Sequence, residues 1–300
     1  MKHNLKITIV LLVMFIITQF IGLYVVNYYQ AEDKELPFGM ETPEIKEVRE
    51  FNEIFVSIVF AFAIAISLLF LLTKFKAEFI LKLWFFIVVI IALGITFTTF
   101  FPGIKYWSFI ALIIALPLAY IKIYKREFLI HNLTELFIYP GIAAVFVPIL
   151  NIWTLVILLI LISIYDMWAV WHSGIMQKMA KYQINKLNIF SGFFVPYISK
   201  KLKLKIKKMK KSDLKKKKIK VNIAILGGGD VIFPIISAGV MLKTFGIGSA
   251  LFVILGAALG LSYLLFFAEK KKFYPAMPFI SAGIFLGMIL SKVLLYQNLI

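Results

Sequence analysis

Nine stretches of this chain, each apolar and of membrane-crossing length or near it, follow one another between basic segments. That pattern leaves the chain few other ways to fold. A membrane-crossing helix needs about 20 predominantly apolar residues, because hydrocarbon offers the backbone no partner and every N–H and C=O must be satisfied within the helix. The stretches are 5–26, 54–72, 79–100, 106–121, 136–150, 152–172, 221–241, 247–268 and 275–295. The fourth and fifth are short and carry Pro117, Pro140 and Pro148, and the tight Leu150-Asn151 join points to a hairpin with the sixth, so eight spans is the alternative count. With 62% of its residues hydrophobic, the chain is too apolar for a soluble domain that must cover itself with polar surface. The expected class is all-α, a polytopic membrane protein.

Charge tests the count. If the N-terminus is cytoplasmic, the inner segments hold 27 of the 33 basic residues: Lys2, Lys6, Lys74, Lys76, Lys82, Lys122, Lys125, Arg126, sixteen lysines from Lys178 to Lys220, and Lys270 to Lys272. The outer segments hold only Lys34, Lys46, Arg49, Lys105, Lys243 and Lys292, and eight acids from Glu32 to Glu53 gather in the first outer loop. This is the bias that orients membrane proteins. It predicts nine spans in a cell membrane, with the N-terminus and the 174–220 loop cytoplasmic and the C-terminus outside. The net charge of +18 is therefore a topology signal, not a nucleic-acid footprint. The first apolar run is too long for a signal-peptide core and lacks a small-residue cleavage site, so it is expected to be a retained span. Cysteine is absent, which excludes disulfides and thiolate chemistry.

The organisation that follows is 1–173 with six spans, a basic loop at 174–220, and 221–300 with three more. The lysine-rich half of the loop is expected to lie solvated or against anionic head groups. Within the loop, 187–198 is apolar but too short to span, which makes it an interfacial or re-entrant segment.

Among the acids, Asp166 and Asp230 stand out as lying well inside apolar stretches. A carboxylate at bilayer depth costs a few kcal/mol and marks function by default. Asp166 lies six residues before the inner end of the sixth stretch and Asp230 nine residues past the inner start of the seventh, hence roughly 9 and 13 Å deep if both are helical. Antiparallel helices could set the two at one level. Gly227, Gly228 and Gly229 precede Asp230 and Pro234 follows it. Glycine weakens a helix and proline leaves the carbonyl of residue i−4, here Asp230, without its partner. Loosened backbone at this depth needs protein or water around it, so water is expected near Asp230. Two close carboxylates share a proton, one activating water while the other polarises a carbonyl.

At these residues the chain resembles the presenilin and signal peptide peptidase family of intramembrane aspartyl proteases. Tyr165-Asp166 matches the YD motif, Gly227-Gly228-Gly229-Asp230 the GxGD motif, and Pro275-Ala276-Met277-Pro278 the proline-alanine-leucine motif with Met277 for leucine. The resemblance implies nine spans, catalytic Asp166 and Asp230, and Pro275, Ala276 and Met277 beside them helping to place the substrate. It also implies transmembrane-helix substrates in a lipid bilayer, entering with the N-terminus outside as presenilins take them and adding a strand near Pro275. No cofactor or metal is implied, nucleic acid is not a partner, and a homo-oligomer stays open. The 187–198 segment would then lie near the active-site mouth, as a gate or a site of self-cleavage.

Three readings compete. The aspartates could couple protons or cations in a transporter or ion-leak protein, they could pair with polar neighbours to fix packing, or the chain could be a prepilin-type peptidase, which shares GxGD but lacks the proline-alanine-leucine element. Zinc-protease chemistry fits worse, because His3, His131 and His172 sit at span ends with no HExxH spacing. Rhomboid-type serine chemistry also fits worse, because Ser249 lies near an outer span end with no histidine at its level.

Overall fold

A computed structural model describes residues 5–31, 34–41, 45, 47–75, 77–101, 104, 106–125, 127–173, 182, 189, 191–197, 222–268 and 274–295. Among them are nine helices long and apolar enough to cross a membrane: α1 (Leu5–Tyr29), α2 (Val48–Lys74), α3 (Glu78–Thr98), α4 (Trp107–Tyr120), α5 (Phe128–Phe146), α6 (Ile152–Trp168), α7 (Gly228–Phe245), α8 (Ile247–Phe267) and α9 (Met277–Leu295). Single π-helical turns extend α4 over Ile121–Lys125 and α6 over Ala169–Ser173. The only sheet among the described residues pairs β1 (Gly192–Tyr197) antiparallel with β2 (Asn222–Gly227).

Local chemistry starts several of these helices. Asn151 caps α6 by accepting from the Thr154 N–H at 2.9 Å, while the Thr154 hydroxyl stands 3.0 Å from the Asn151 N–H. Each bond satisfies a donor that a helix start leaves without a partner. Glu47 and Glu50 form the same reciprocal cap on α2.

The core lies where α1, α5 and α7 pack together. In the apolar window of α7, 61% of residues are buried, against 6% for α2, which stands at the edge beside α3 and α6. The α8–α9 pair is zipped by small residues. Cβ atoms on Gly256 and Gly283 would each strike the other glycine's carbonyl oxygen, and Gly260 and Gly287 likewise face backbone of the opposite helix. Close backbone contact through glycine is a common way to hold helices together in lipid, and here it fixes where α9 begins.

The expected architecture is present, with two changes. The fifth helix starts at Phe128, not near 136, because His131, Asn132, Thr134 and Glu135 are buried helical residues whose polarity hides the helix from an apolar-run search. The seventh stretch is not helical from its start. Residues 222–227 form β2, and α7 begins at Gly228. A strand rises about 3.3 Å per residue against 1.5 Å for a helix, so the helical depth arithmetic does not hold for Asp230. The short apolar segment of the basic loop contains β1; its remaining residues 187, 188, 190 and 198 lie outside the described set, as do most of 174–220.

Candidate active site

Asp166 sits in the last turn of α6 with little of its surface exposed. Its Oδ2 accepts the Met277 N–H at 3.0 Å, and the Ala276 backbone also bonds to it. These donors belong to the opening of α9, where the first N–H groups have no partner inside the helix. The carboxylate supplies one, and the positive end of the helix favours its charge. Pro275 and Met277 are buried against this point, and Ala276 is half-buried. A second link, Ser163 Oγ to Ser281 Oγ at 3.0 Å, ties α6 to α9.

Asp230 repeats the arrangement on α7. It is the third residue of the helix after the N-cap Gly227, and its carboxylate accepts from the Gly227 backbone. This is half of a capping box, in which the third residue reaches back to the cap N–H. Both aspartates are thus seated at helix N-termini by main-chain donors. α6 packs on α7, and this brings Asp166 near enough to Asp230 for their charges to interact.

The glycine run lies at the strand-to-helix switch. Gly227 ends β2, and Gly228 is pressed so closely that a Cβ there would stand 2.8 Å from Ser191 Oγ and 3.0 Å from Tyr139 Oη. Glycine at 228 is therefore a packing requirement, and the ladder continues through it: the Gly228 N–H donates to the Ser191 carbonyl at 3.3 Å. Gly229 has only Phe233 near it. Tyr165 is not drawn into the site. It lies on an exposed face of α6 beside Trp168, as a neighbour one position, about 100°, away on a helix must.

Sequence reasoning missed a third buried acid. Glu135, on α5, bonds Lys122 Nζ, and both side chains are almost fully enclosed. His131 completes the cluster, its Nδ1 3.3 Å from Lys122 Nζ. The signal was present, because Glu135 stands four residues after His131 and one before an apolar run, but it falls where a loop was expected. No group of three or more metal-ligating residues occurs among the described residues.

The family model for signal-peptide peptidase and presenilin aspartyl proteases matches residues 8–296. Two solved structures of a presenilin-family intramembrane aspartate protease, in space groups C222 and P2, superpose with a TM-score of 0.60 each at 19% identity. The first covers 96% of this chain and 99% of that one, the second 95% and 96%. At that identity they show the fold. No curated protein matches. The chain belongs to the signal-peptide peptidase and presenilin family of aspartyl proteases, and it is a multi-pass membrane protein with the activity of an intramembrane aspartic endopeptidase.

Proposed function

We propose that Asp166 and Asp230 are the catalytic pair and that they hydrolyse peptide bonds of transmembrane helices presented as an extended strand beside β2. The carrying observation is that α6 and α7 pack together and each brings to that contact a carboxylate held by main-chain N–H groups, the two lying within reach of each other's charge. The pair works with one proton between them. The ionised carboxylate takes a proton from water, the oxygen attacks the scissile carbonyl, and the protonated carboxylate gives its proton to the carbonyl oxygen. Collapse of the diol breaks the C–N bond, the amine leaves with a proton, and the pair is restored. A transporter would need the same carboxylates but not the α9 opening that Asp166 holds.

The ladder supports the strand. The Gly228–Ser191 bond, with the register Gly192↔Gly227 through Tyr197↔Asn222, makes Phe193↔Leu226 and Val195↔Ala224 bonded pairs, since such pairs alternate in antiparallel ladders. The N–H and C=O of Ile223 and Ile225 then point away from β1. Their side chains are half exposed, while those of Ala224 and Leu226 are buried. A substrate strand could add to this edge and lead its backbone toward Asp230. Loosely packed α2 beside α6 offers a lateral way in from lipid.

Ile225→Pro deletes an outward N–H without touching a bond to β1. It is expected to lower kcat/KM on a labelled single-span substrate about tenfold, in line with a lost docking hydrogen bond of 0.5–1.5 kcal/mol and its steric consequences; an unchanged rate would remove the β2 edge from the account. The lysine asymmetry supports a cytoplasmic N-terminus, an outside C-terminus and substrates with their N-terminus outside. A C-terminal reporter is expected to score outside, and a cytoplasmic score would reverse that orientation.

A further inference from the structure

We infer that the polar face of α5 is a clamp that fixes the register of the substrate strand: His131 and Asn132, backed by Glu135 and Lys122, hold the edge of β1 opposite β2. The inference rests on the proposal that substrate adds to β2.

By the alternation above, Gly192, Phe194 and Pro196 turn their backbone groups away from β2. Left bare, such an edge would itself accept a strand. Instead, Asn132 Nδ2 donates to the Phe194 carbonyl at 2.9 Å and its Oδ1 accepts the Phe194 N–H at 3.1 Å. The side-chain amide stands in for a neighbouring strand. His131 Nε2 is 2.9 Å from the Gly192 carbonyl. Lys122 can only donate, so His131 Nδ1 accepts from it and Nε2 carries the hydrogen toward Gly192. Lys122 is held in turn by Glu135. Pro196 has no N–H to leave unpaired.

Side chains reinforce the backbone bonds. The His131 ring lies 4.4 Å from that of Phe194, and buried Tyr139 meets Phe193 edge-on at 5.7 Å. Three positions of α5, His131, Asn132 and Tyr139, on one face, thus grip β1. Since β1 sets the position of β2, and β2 runs straight into Gly228 and Asp230, the clamp determines which substrate bond stops at the carboxylates. These are positioning residues. They act through β1 and β2.

The test is the position of the cut. Wild type, Asn132→Leu, His131→Leu, His131→Gln and Ile225→Pro are incubated with one labelled single-span substrate, and products are sized by mass spectrometry. A strand that slips keeps its faces only in steps of two residues, so Asn132→Leu and His131→Leu are expected to move cuts by about two residues and spread them over several bonds. His131→Gln, whose amide can still donate to Gly192, should restore the wild-type bond. A folded Asn132→Leu that cuts the wild-type bond at the wild-type rate overturns the clamp, provided Ile225→Pro is impaired. If Ile225→Pro cleaves normally, the β2 reading falls and the inference with it. Hydrogen exchange on the wild type decides independently of any variant's folding: the clamp requires a protected Phe194 amide, and exchange at the rate of an open strand edge contradicts it.

Discussion

Replacing either aspartate by asparagine is expected to end cleavage while leaving the protein folded. Asparagine keeps the size of the side chain and can still accept the Met277 N–H at position 166 or the Gly227 N–H at position 230, so the seats at the two helix starts survive. What is lost is the group that takes and returns a proton. General acid–base catalysis contributes about 10²–10⁴-fold on its own, and in the proposed pair the two carboxylates act as one unit, so each single variant should lose more than that. Groups that act as a unit are not additive. Asp166→Asn, Asp230→Asn and the double variant should therefore show the same loss, measured as single-turnover cleavage of a labelled single-span substrate. A double variant much slower than both singles would mean that the carboxylates serve separate steps.

The second large effect is on stability. Lys122→Met is expected to lower the apparent Tm in detergent sharply, because it leaves the enclosed Glu135 carboxylate without its cation. Removing one partner of a buried pair costs about 3–5 kcal/mol, whereas replacing both with apolar residues of similar size is often neutral. The Lys122→Met, Glu135→Leu double variant should recover most of the loss. Equal Tm values for wild type and Lys122→Met would show that the pair contributes nothing to the fold. His131 joins both members, so the same variant is also expected to loosen β1.

Much of this protein could be read from its sequence because the bilayer imposes a strong rule. Long apolar runs between lysines gave the helices, and two costly aspartates in those runs marked the place of interest. What stayed hidden has a common cause. Phe128 to Glu135 is a helix whose polar side chains turn inward onto other protein groups, with Glu135 on Lys122 and Asn132 on Phe194, and a search for apolar runs reads such a segment as a loop. Residues 223–226 alternate exposed and buried side chains as a strand should, yet Ile223, Ala224, Ile225 and Leu226 are all apolar, so polarity does not mark the alternation in the sequence. The glycines before Asp230 looked like a weakened helix. They mark the switch from strand to helix, and at Gly228 the close approach of Tyr139 and Ser191. Tyr165 was grouped with Asp166 by motif, although helical geometry alone turns it to another face.

The central claim is that Asp166 and Asp230 work on the same bond. Its most direct test is equilibrium binding of a peptide isostere carrying a hydroxyl in place of the scissile carbonyl, a mimic of the tetrahedral intermediate that both carboxylates would hold. Affinity should fall in Asp166→Asn and in Asp230→Asn alike, by at least about tenfold each, the scale of 1.4 kcal/mol, with the fold unchanged. If either variant binds the isostere as tightly as the wild type, that aspartate does not face the substrate, and the two do not form one active site.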